Sequence, residues 1–349
     1  MKKIAYIEID THAEIALNFM ELMNDSKAFS VDYYFSEKIL RFFGFAQNDK
    51  LPENIKKATP ENLIQQLSTN NYQLIIIGTV HRYFNVFEKI AEKFNTSIIC
   101  HNLNFVKASN LDLLSSVFKE DFQYRLKLLL KEGLLRKSNV YKKAKNLLVL
   151  DRGFDSAQPD KYKFLPIFYT KFLEKPNNPI FTIVIPGAVS QKRRDYEGIL
   201  KSIIIFHFPL EIIFLGKASG KELEMLQDFE QSKPENISIK YFKEKVPQDV
   251  FDDYMQKADV LWCPIQQETE FFSQKEIYGS TKMSGNIGDA IKFRKLAVFP
   301  EDYPSKYSFI IPEKGSLGDF LFIKKDVDFS EFSKEKVLQE LEKTIFALL

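Results

Sequence analysis

The sequence predicts an α/β protein of two Rossmann-like domains facing each other across a cleft, with a C-terminal helix. Three observations predict it. Short apolar runs of strand length alternate with amphipathic stretches of helical period. The runs are apolar throughout, as in parallel sheets covered on both faces by helices. The alternation stops once, in a proline-rich stretch, and then restarts. A length of 349 residues suits two such units.

In the first half, residues 3–9 read as a strand and 11–24 as a helix, with Ile15, Phe19 and Leu22 at helical spacing. Strand 30–35 follows, and Thr59-Pro60-Glu61 opens a helix with a hydroxyl cap and a proline in the first turn. Strand 73–78, helix 83–94 and strand 96–100 come next, then two or three helices over 109–145 and strand 146–150. Residues 151–179, with Pro159, Pro166, Pro176 and Pro179, read as a linker. The second half reads as strand 180–185, helix 192–206, strand 210–215, helix 219–231, strand 237–241, helix 247–257, strand 259–263, a long loop, helix 285–294 and strand 296–299. A last helix covers about 331–347. The expected domains are 1–170, 171–330 and the C-terminal helical segment 331–349. Ligands of such sheets bind beyond the carboxyl ends of the strands, which places the expected site in the cleft.

Composition narrows the function classes. With 45% hydrophobic and 28% charged residues, the chain is neither disordered nor a disulfide scaffold. The 49 basic and 47 acidic side chains leave a net charge of +2, so no global field favours nucleic acid as a partner. Cys100 and Cys263 lie far apart and read as free buried thiols in a reducing compartment. Glu8 and Asp10 interrupt the first apolar run, which argues against a signal peptide, and no run reaches the ~18 apolar residues of a membrane span. The expected location is cytoplasmic, at the inner face of a membrane if the basic segment described below docks there.

Several segments are near misses. Gly216-Lys217-Ala218-Ser219-Gly220-Lys221-Glu222 follows a strand, but its spacer is too short for a P-loop and Glu222 stands where Ser or Thr is required. It reads as a strand-to-helix turn. Asp326-Val327-Asp328 has no strand–turn context, no GxGxxG occurs, and His12, His81, His101 and His207 lack metal-ligand spacing, so no metal is expected.

Two loops have the chemistry of a diphosphate site. The first runs from Glu276 through Gly279, Ser280, Thr281 and Lys282 to Ser284, Gly285 and Asn286, and leads into a helix. Small residues admit backbone N–H groups to an anion, the hydroxyls donate, Lys282 adds charge and the helix N-terminus adds roughly half a positive charge. Asp289, one turn in, suits ribose hydroxyls. The bland alternative is a surface loop with Ser284 as an ordinary N-cap. The second loop is Gly187 followed by Lys192, Arg193 and Arg194, three cations where the helix dipole disfavours them; a bound phosphate is one reason for them and solvation at a domain surface is the other.

These residues resemble the donor-binding half of group 1-like GT-B glycosyltransferases. Strand 180–185, running into Pro186-Gly187, with Arg193-Arg194 is similar to the family's first strand and basic loop of that half. Tyr254…Ala258-Asp259-Val260…Pro264, Glu276-x-Tyr278-Gly279 and Ser284-Gly285-Asn286 through Pro300 resemble its later motifs. The match covers about residues 180–300. The family's second Glu would fall on Met283, and Arg294-Lys295-Leu296 stands where Gly-x-Pro is usual.

The resemblance implies transfer of a sugar from a nucleotide-diphosphate sugar to a glycan or lipid-linked acceptor, in surface polysaccharide synthesis. It implies neither cofactor nor metal, because cations and helix N-termini stabilise the departing diphosphate. On the other domain, His101, His12 and Asp10 follow strands in positions suited to a base or a sugar contact, His101 foremost because His-Asn after its strand resembles the family pattern; the alternative for each histidine is an ordinary hydrogen-bonded loop residue. Residues 124–145, rich in Arg, Lys and Leu, form either a membrane-facing amphipathic surface or a core helix with a solvated basic face. A non-catalytic nucleotide- or glycan-binding protein and a sugar-nucleotide epimerase are the competing readings.

Overall fold

The computed structural model describes residues 1–45, 50–157, 161–172, 178–313 and 327–349. Pro159 and Pro176 of the expected linker, and Asp326 of the Asp-Val-Asp triplet, lie outside these residues.

The first sheet contains β1 (Lys2–Glu8), β2 (Phe29–Phe35), β3 (Ile55–Lys57), β4 (Leu74–Ile77), β5 (Thr96–Ile99), β6 (Asn146–Val149) and β7 (Tyr162–Phe164). All pairs are parallel, in the order β3-β2-β1-β4-β5-β6-β7. Successive residues of β4 face opposite ways: Leu74 and Ile76 enter one buried layer, Ile75 and Ile77 the other. That two-sided burial is why these strands read as unbroken apolar runs.

The second sheet contains β8 (Phe181–Pro186), β9 (Leu210–Lys217), β10 (Ile237–Phe242), β11 (Val260–Trp262), β14 (Leu296–Pro300) and β15 (Ile310–Glu313), parallel in the order β10-β9-β8-β11-β14-β15. Between β11 and β14 the chain forms an antiparallel hairpin, β12 (Glu268–Phe271) and β13 (Gln274–Ile277).

Three sequence readings need correction. Residues 151–179 are not simply a linker, because β7 is the seventh strand of the first sheet and Tyr162, Leu165, Ile167 and Tyr169 are buried in that domain; prolines are compatible with an edge strand. The long loop after β11 holds the β12–β13 hairpin. The chain also adds β15, too short and too close to Pro312 to stand out as a strand.

The turn Gly216–Glu222 is structural, as expected. A Cβ on Gly216 would collide with the Gly187 carbonyl, so β8 and β9 need glycine at this close approach. The C-terminal helix Lys334–Leu348 returns to the first domain and buries Val337, Leu341, Ile345 and Leu348 there. Such burial contributes about 1.5–3 kcal/mol per large apolar side chain. Arg152 and Ser26 bond Glu340 and Glu342 at its flank. Both cysteines are free and buried. Among the described residues no helix is long and apolar enough to cross a membrane.

The basic segment is structural in part. Arg125 is buried against the Ser116 carbonyl and Ser273 Oγ, while Arg136 and Lys143 share Glu88. Lys137, fully buried, donates to the carbonyls of Phe105, Val106 and Ala108. Arg125 and Lys137 therefore leave the basic face, whereas Lys127, Lys131, Arg136, Lys142, Lys143 and Lys145 remain exposed on it.

Candidate active site between the domains

The second domain contributes the turn after β8. Gly187 has φ +106°, and a Cβ there would lie 2.5 Å from Arg194 Nη2. The guanidinium therefore occupies space that only glycine leaves open. Arg194 Nη2 donates to Asn286 Oδ1 at 3.2 Å and Nη1 to the Ala188 carbonyl at 3.4 Å, while Nε is buried without a partner among the described residues. Lys192 and Arg193 are exposed. The helix expected from 192 begins at Tyr196, capped by Asp195, whose carboxylate accepts the Gly198 N–H. The three cations thus precede the helix and diverge: Arg194 turns inward, and Arg193 reaches Lys282 only through its field.

Helix Gly285–Phe293 points its N-terminus at this group. Ser284 Oγ accepts the Asn286 N–H, and Gly285 is open to solvent. Asn286 Nδ2 donates to Asp289 Oδ2 at 3.1 Å. Removal from water pushes the Asp289 carboxyl up to about 6, against the pull of Asn286, Lys292 and Arg194; Glu14 of the other domain adds to the rise. Glu14 therefore lies close enough across the cleft for its charge to reach Asp289.

The Glu276–Lys282 segment departs from the expected anion cradle. The N–H groups of Ser280, Thr281 and Lys282 all donate to the Ile277 carbonyl, and Gly279 takes φ +78°. Those donors are already engaged within the loop. Glu276 is fully buried and turned to the first domain, accepting the N–H of Phe105 at 2.8 Å and of Asn104 at 3.2 Å. It caps helix Leu103–Lys107, and burial raises its pKa. Lys282 Nζ donates to Asn102 Oδ1 at 2.7 Å; burial lowers its pKa. Met283 packs against core layers of both domains.

The first domain brings three histidines together. His12, in the left-handed region at φ +57°, caps helix Ala13–Met23, and its ring stacks on His101 at 3.9 Å. His81 stands edge-on to both, at 6.0 and 5.9 Å. His101 Nε2 donates to the Gly78 carbonyl at 2.8 Å, which leaves Nδ1 as the acceptor of the neutral ring. Burial, then the neighbouring His12, holds His101 and His81 well below the ordinary value. Asn102 Nδ2 lies 3.4 Å from His81 Nε2, so one buried amide joins the histidines to Lys282. Asp10, raised by burial against the pull of Arg82, lies 3.8 Å from that guanidinium.

Sequence reasoning missed Glu8, Glu14, His81 and Asn102 as site residues. Glu8 ends β1 fully buried, accepting the N–H groups of Asp10 and Thr11 and the Thr79 hydroxyl; burial pushes it up to about 8. A charged residue ending an apolar strand was its only signal. Asn102 was legible only as part of His-Asn.

No protein-family model and no curated protein matches the chain. Solved structures do match over the whole chain. The sucrose-phosphate synthase of Thermosynechococcus elongatus is 11% identical with a TM-score of 0.56, covering 100% of this chain and 96% of that one. The lipopolysaccharide outer core galactosyltransferase WaaB, in its apo form, is 12% identical with a TM-score of 0.57, covering 99% and 100%. The UDP-GlcNAc 2-epimerase of Neisseria meningitidis, bound to UDP-GlcNAc, is 10% identical with a TM-score of 0.55, covering 99% and 100%. With the two parallel sheets and the returning C-terminal helix, these likenesses establish the GT-B fold.

Proposed function

We propose that this GT-B chain is a nucleotide-sugar-dependent glycosyltransferase, with its donor site at Gly187, Arg194 and the start of helix Gly285–Phe293, and its acceptor side at His101, His12 and Asp10. The observation that carries the reading is the convergence of Arg194, Asn286 and Asp289 on one helix N-terminus, within reach of the field of Glu14 beside His12. Arg194 and the helix N-terminus bind the diphosphate, with Lys282 and Arg193 adding field. Asp289 holds ribose hydroxyls, the role that Met283 is unable to fill. The acceptor hydroxyl attacks the anomeric carbon and gives its proton to His101 Nδ1 or to the departing phosphate oxygen, the bond to the diphosphate breaks, and fixed positive charge receives that oxygen without a metal. His101 Nδ1 is free to accept a hydrogen bond from a sugar or acceptor hydroxyl.

A lipid-linked acceptor suits the helices Asn110–Val117 and Phe122–Lys131. Leu111, Phe118 and Leu130 are 78, 76 and 74% exposed beside Lys119, Lys127 and Lys131. Exposed apolar side chains with basic neighbours fit an anionic membrane surface at the cytoplasmic face. In this reading the product belongs to a surface polysaccharide.

The test is calorimetric titration with UDP and GDP, followed by assays of UDP-sugar hydrolysis with and without chelator. Binding and chelator-insensitive turnover support the proposal, and absence of nucleotide binding refutes it. A second reading, sugar-nucleotide epimerisation, is favoured by the carboxylates Asp10 and Glu14 beside the histidines. Proton NMR of UDP-GlcNAc with the protein separates the two: a C2-inverted product supports epimerisation, and released UDP supports transfer.

A further inference from the structure

A cavity of about 430 Å³ lies in the first domain, lined by Val106, Lys107, Ala108, Ser109, Ser138, Tyr141, Lys142, Leu147 and Lys161. None of these residues belongs to the cleft site. Ser138, Tyr141 and Lys142 recur at i, i+3 and i+4 on helix Lys137–Lys143, so they share one face. Lys107 ends helix Leu103–Lys107, and Lys161 immediately precedes β7.

The charge is one-sided. Among the described residues, Lys107, Lys142 and Lys161 have no carboxylate partner and no acid lines the cavity. Three like charges around one hollow repel one another, and a bound anion removes that cost. The carbonyls at the end of helix Leu103–Lys107, which would oppose an anion, are occupied: Lys137 Nζ takes those of Phe105, Val106 and Ala108 from below. Asp112, bonded to the lining residue Ser109, turns to its own cap and accepts from the N–H and hydroxyl of Ser109. Tyr141 spends its hydroxyl on the Val80 carbonyl, which leaves Ser138 as the hydroxyl donor of the lining. The volume suits a small ligand rather than a single water.

We propose that this cavity is a second anion site, separate from the cleft, that takes a phosphate ester or diphosphate between Lys107, Lys142 and Lys161. The inference does not depend on the glycosyl-transfer reading. The source is either a free phosphate compound or the headgroup of an anionic lipid.

Lysine acetylation of the full chain, read by mass spectrometry, tests it with inorganic pyrophosphate and with phosphatidate vesicles. Pyrophosphate is expected to slow acetylation of Lys107, Lys142 and Lys161 by about threefold or more, with Lys119 unchanged. Protection of the three by pyrophosphate supports a free phosphate compound. Protection by vesicles alone, extending to Lys119 and Lys127, supports a headgroup. Lys142→Gln should abolish protection at Lys107 and Lys161, and Lys107→Gln serves if the first variant has a lowered melting temperature. Protection by neither probe, or equal slowing at every exposed lysine, overturns the proposal.

Discussion

Glu276 of the second domain accepts the backbone N–H of Phe105 in the first, at 2.8 Å, with both residues fully buried. The same carboxylate takes the Asn104 N–H, so one side chain holds the start of a helix in the opposite domain. A residue that resembles a nucleotide ligand in sequence is, in the folded chain, a joint.

That relationship predicts a stability effect before a binding effect. Glu276→Ala leaves the buried N–H of Phe105 and the half-buried N–H of Asn104 unpaired and should lower stability by about 1–3 kcal/mol in urea unfolding. UDP affinity should change little once the variant is folded. A normal melting curve with lost UDP binding would instead return Glu276 to the donor site.

Arg194→Ala should weaken binding of a nucleoside diphosphate by about tenfold or more and leave nucleoside binding nearly unchanged, because a charge-assisted contact to phosphate is lost. Lys192→Ala should have little effect. Gly187→Ala should mimic the arginine variant, since its Cβ takes the space of the guanidinium. Calorimetry with UDP and uridine checks all three, and equal losses for both ligands would remove Arg194 from a phosphate role.

His101→Gln should reduce turnover by about 10²-fold without unfolding the protein. The pH dependence has a definite sign. His101 and His81 are held below 6.5 in the folded state, so the unfolded chain binds the extra protons and stability falls as pH drops below about 6.5. His101→Gln should flatten that decline in denaturation curves taken across the range; an unchanged profile would mean that His101 is solvated.

Glu8 has the opposite sign. Its carboxyl is raised from 4.5 to about 8, so the folded state binds the proton more tightly and stability is lost as pH rises through that window. Glu8→Gln keeps the shape and removes the titration. Its advantage over the parent should grow to roughly 4 kcal/mol by the upper end of the window. A constant difference across pH would show that Glu8 does not titrate there.

The β12–β13 hairpin carries Phe271 and Phe272 into the first domain, where they meet His81, Phe105 and Arg125. Replacing both by Ser should free the domains. Small-angle scattering should then report a larger radius of gyration, with each domain's secondary structure intact by circular dichroism. An unchanged radius would show that Glu276 and Lys282 suffice to hold the closure.

The strands buried on both faces were legible because their apolar runs are continuous; β4 (Leu-Ile-Ile-Ile) admits no other placement. The hairpin was not. Its strands are mostly polar, and its turn uses Phe272 and Ser273 at positive φ, where Asn or Gly would have signalled a two-residue hairpin. Of the candidate site, Arg194, Asn286 and Asp289 were legible because a glycine turn and a helix start are local features. The fates of Lys192, Arg193 and Glu276 were not, since local sequence does not show which side chains turn inward.

The sequence alone determined two parallel α/β units, their strand order of appearance and the helix starts available to an anion, because period and capping are written over a few neighbouring residues. Only the tertiary structure decided which groups meet. His12 stacks on His101, Asn102 bonds Lys282, and Glu276 meets Phe105 from 171 residues away along the chain. Such contacts depend on how two sheets dock, and docking is set by the summed burial of surfaces distant in sequence rather than by any local pattern.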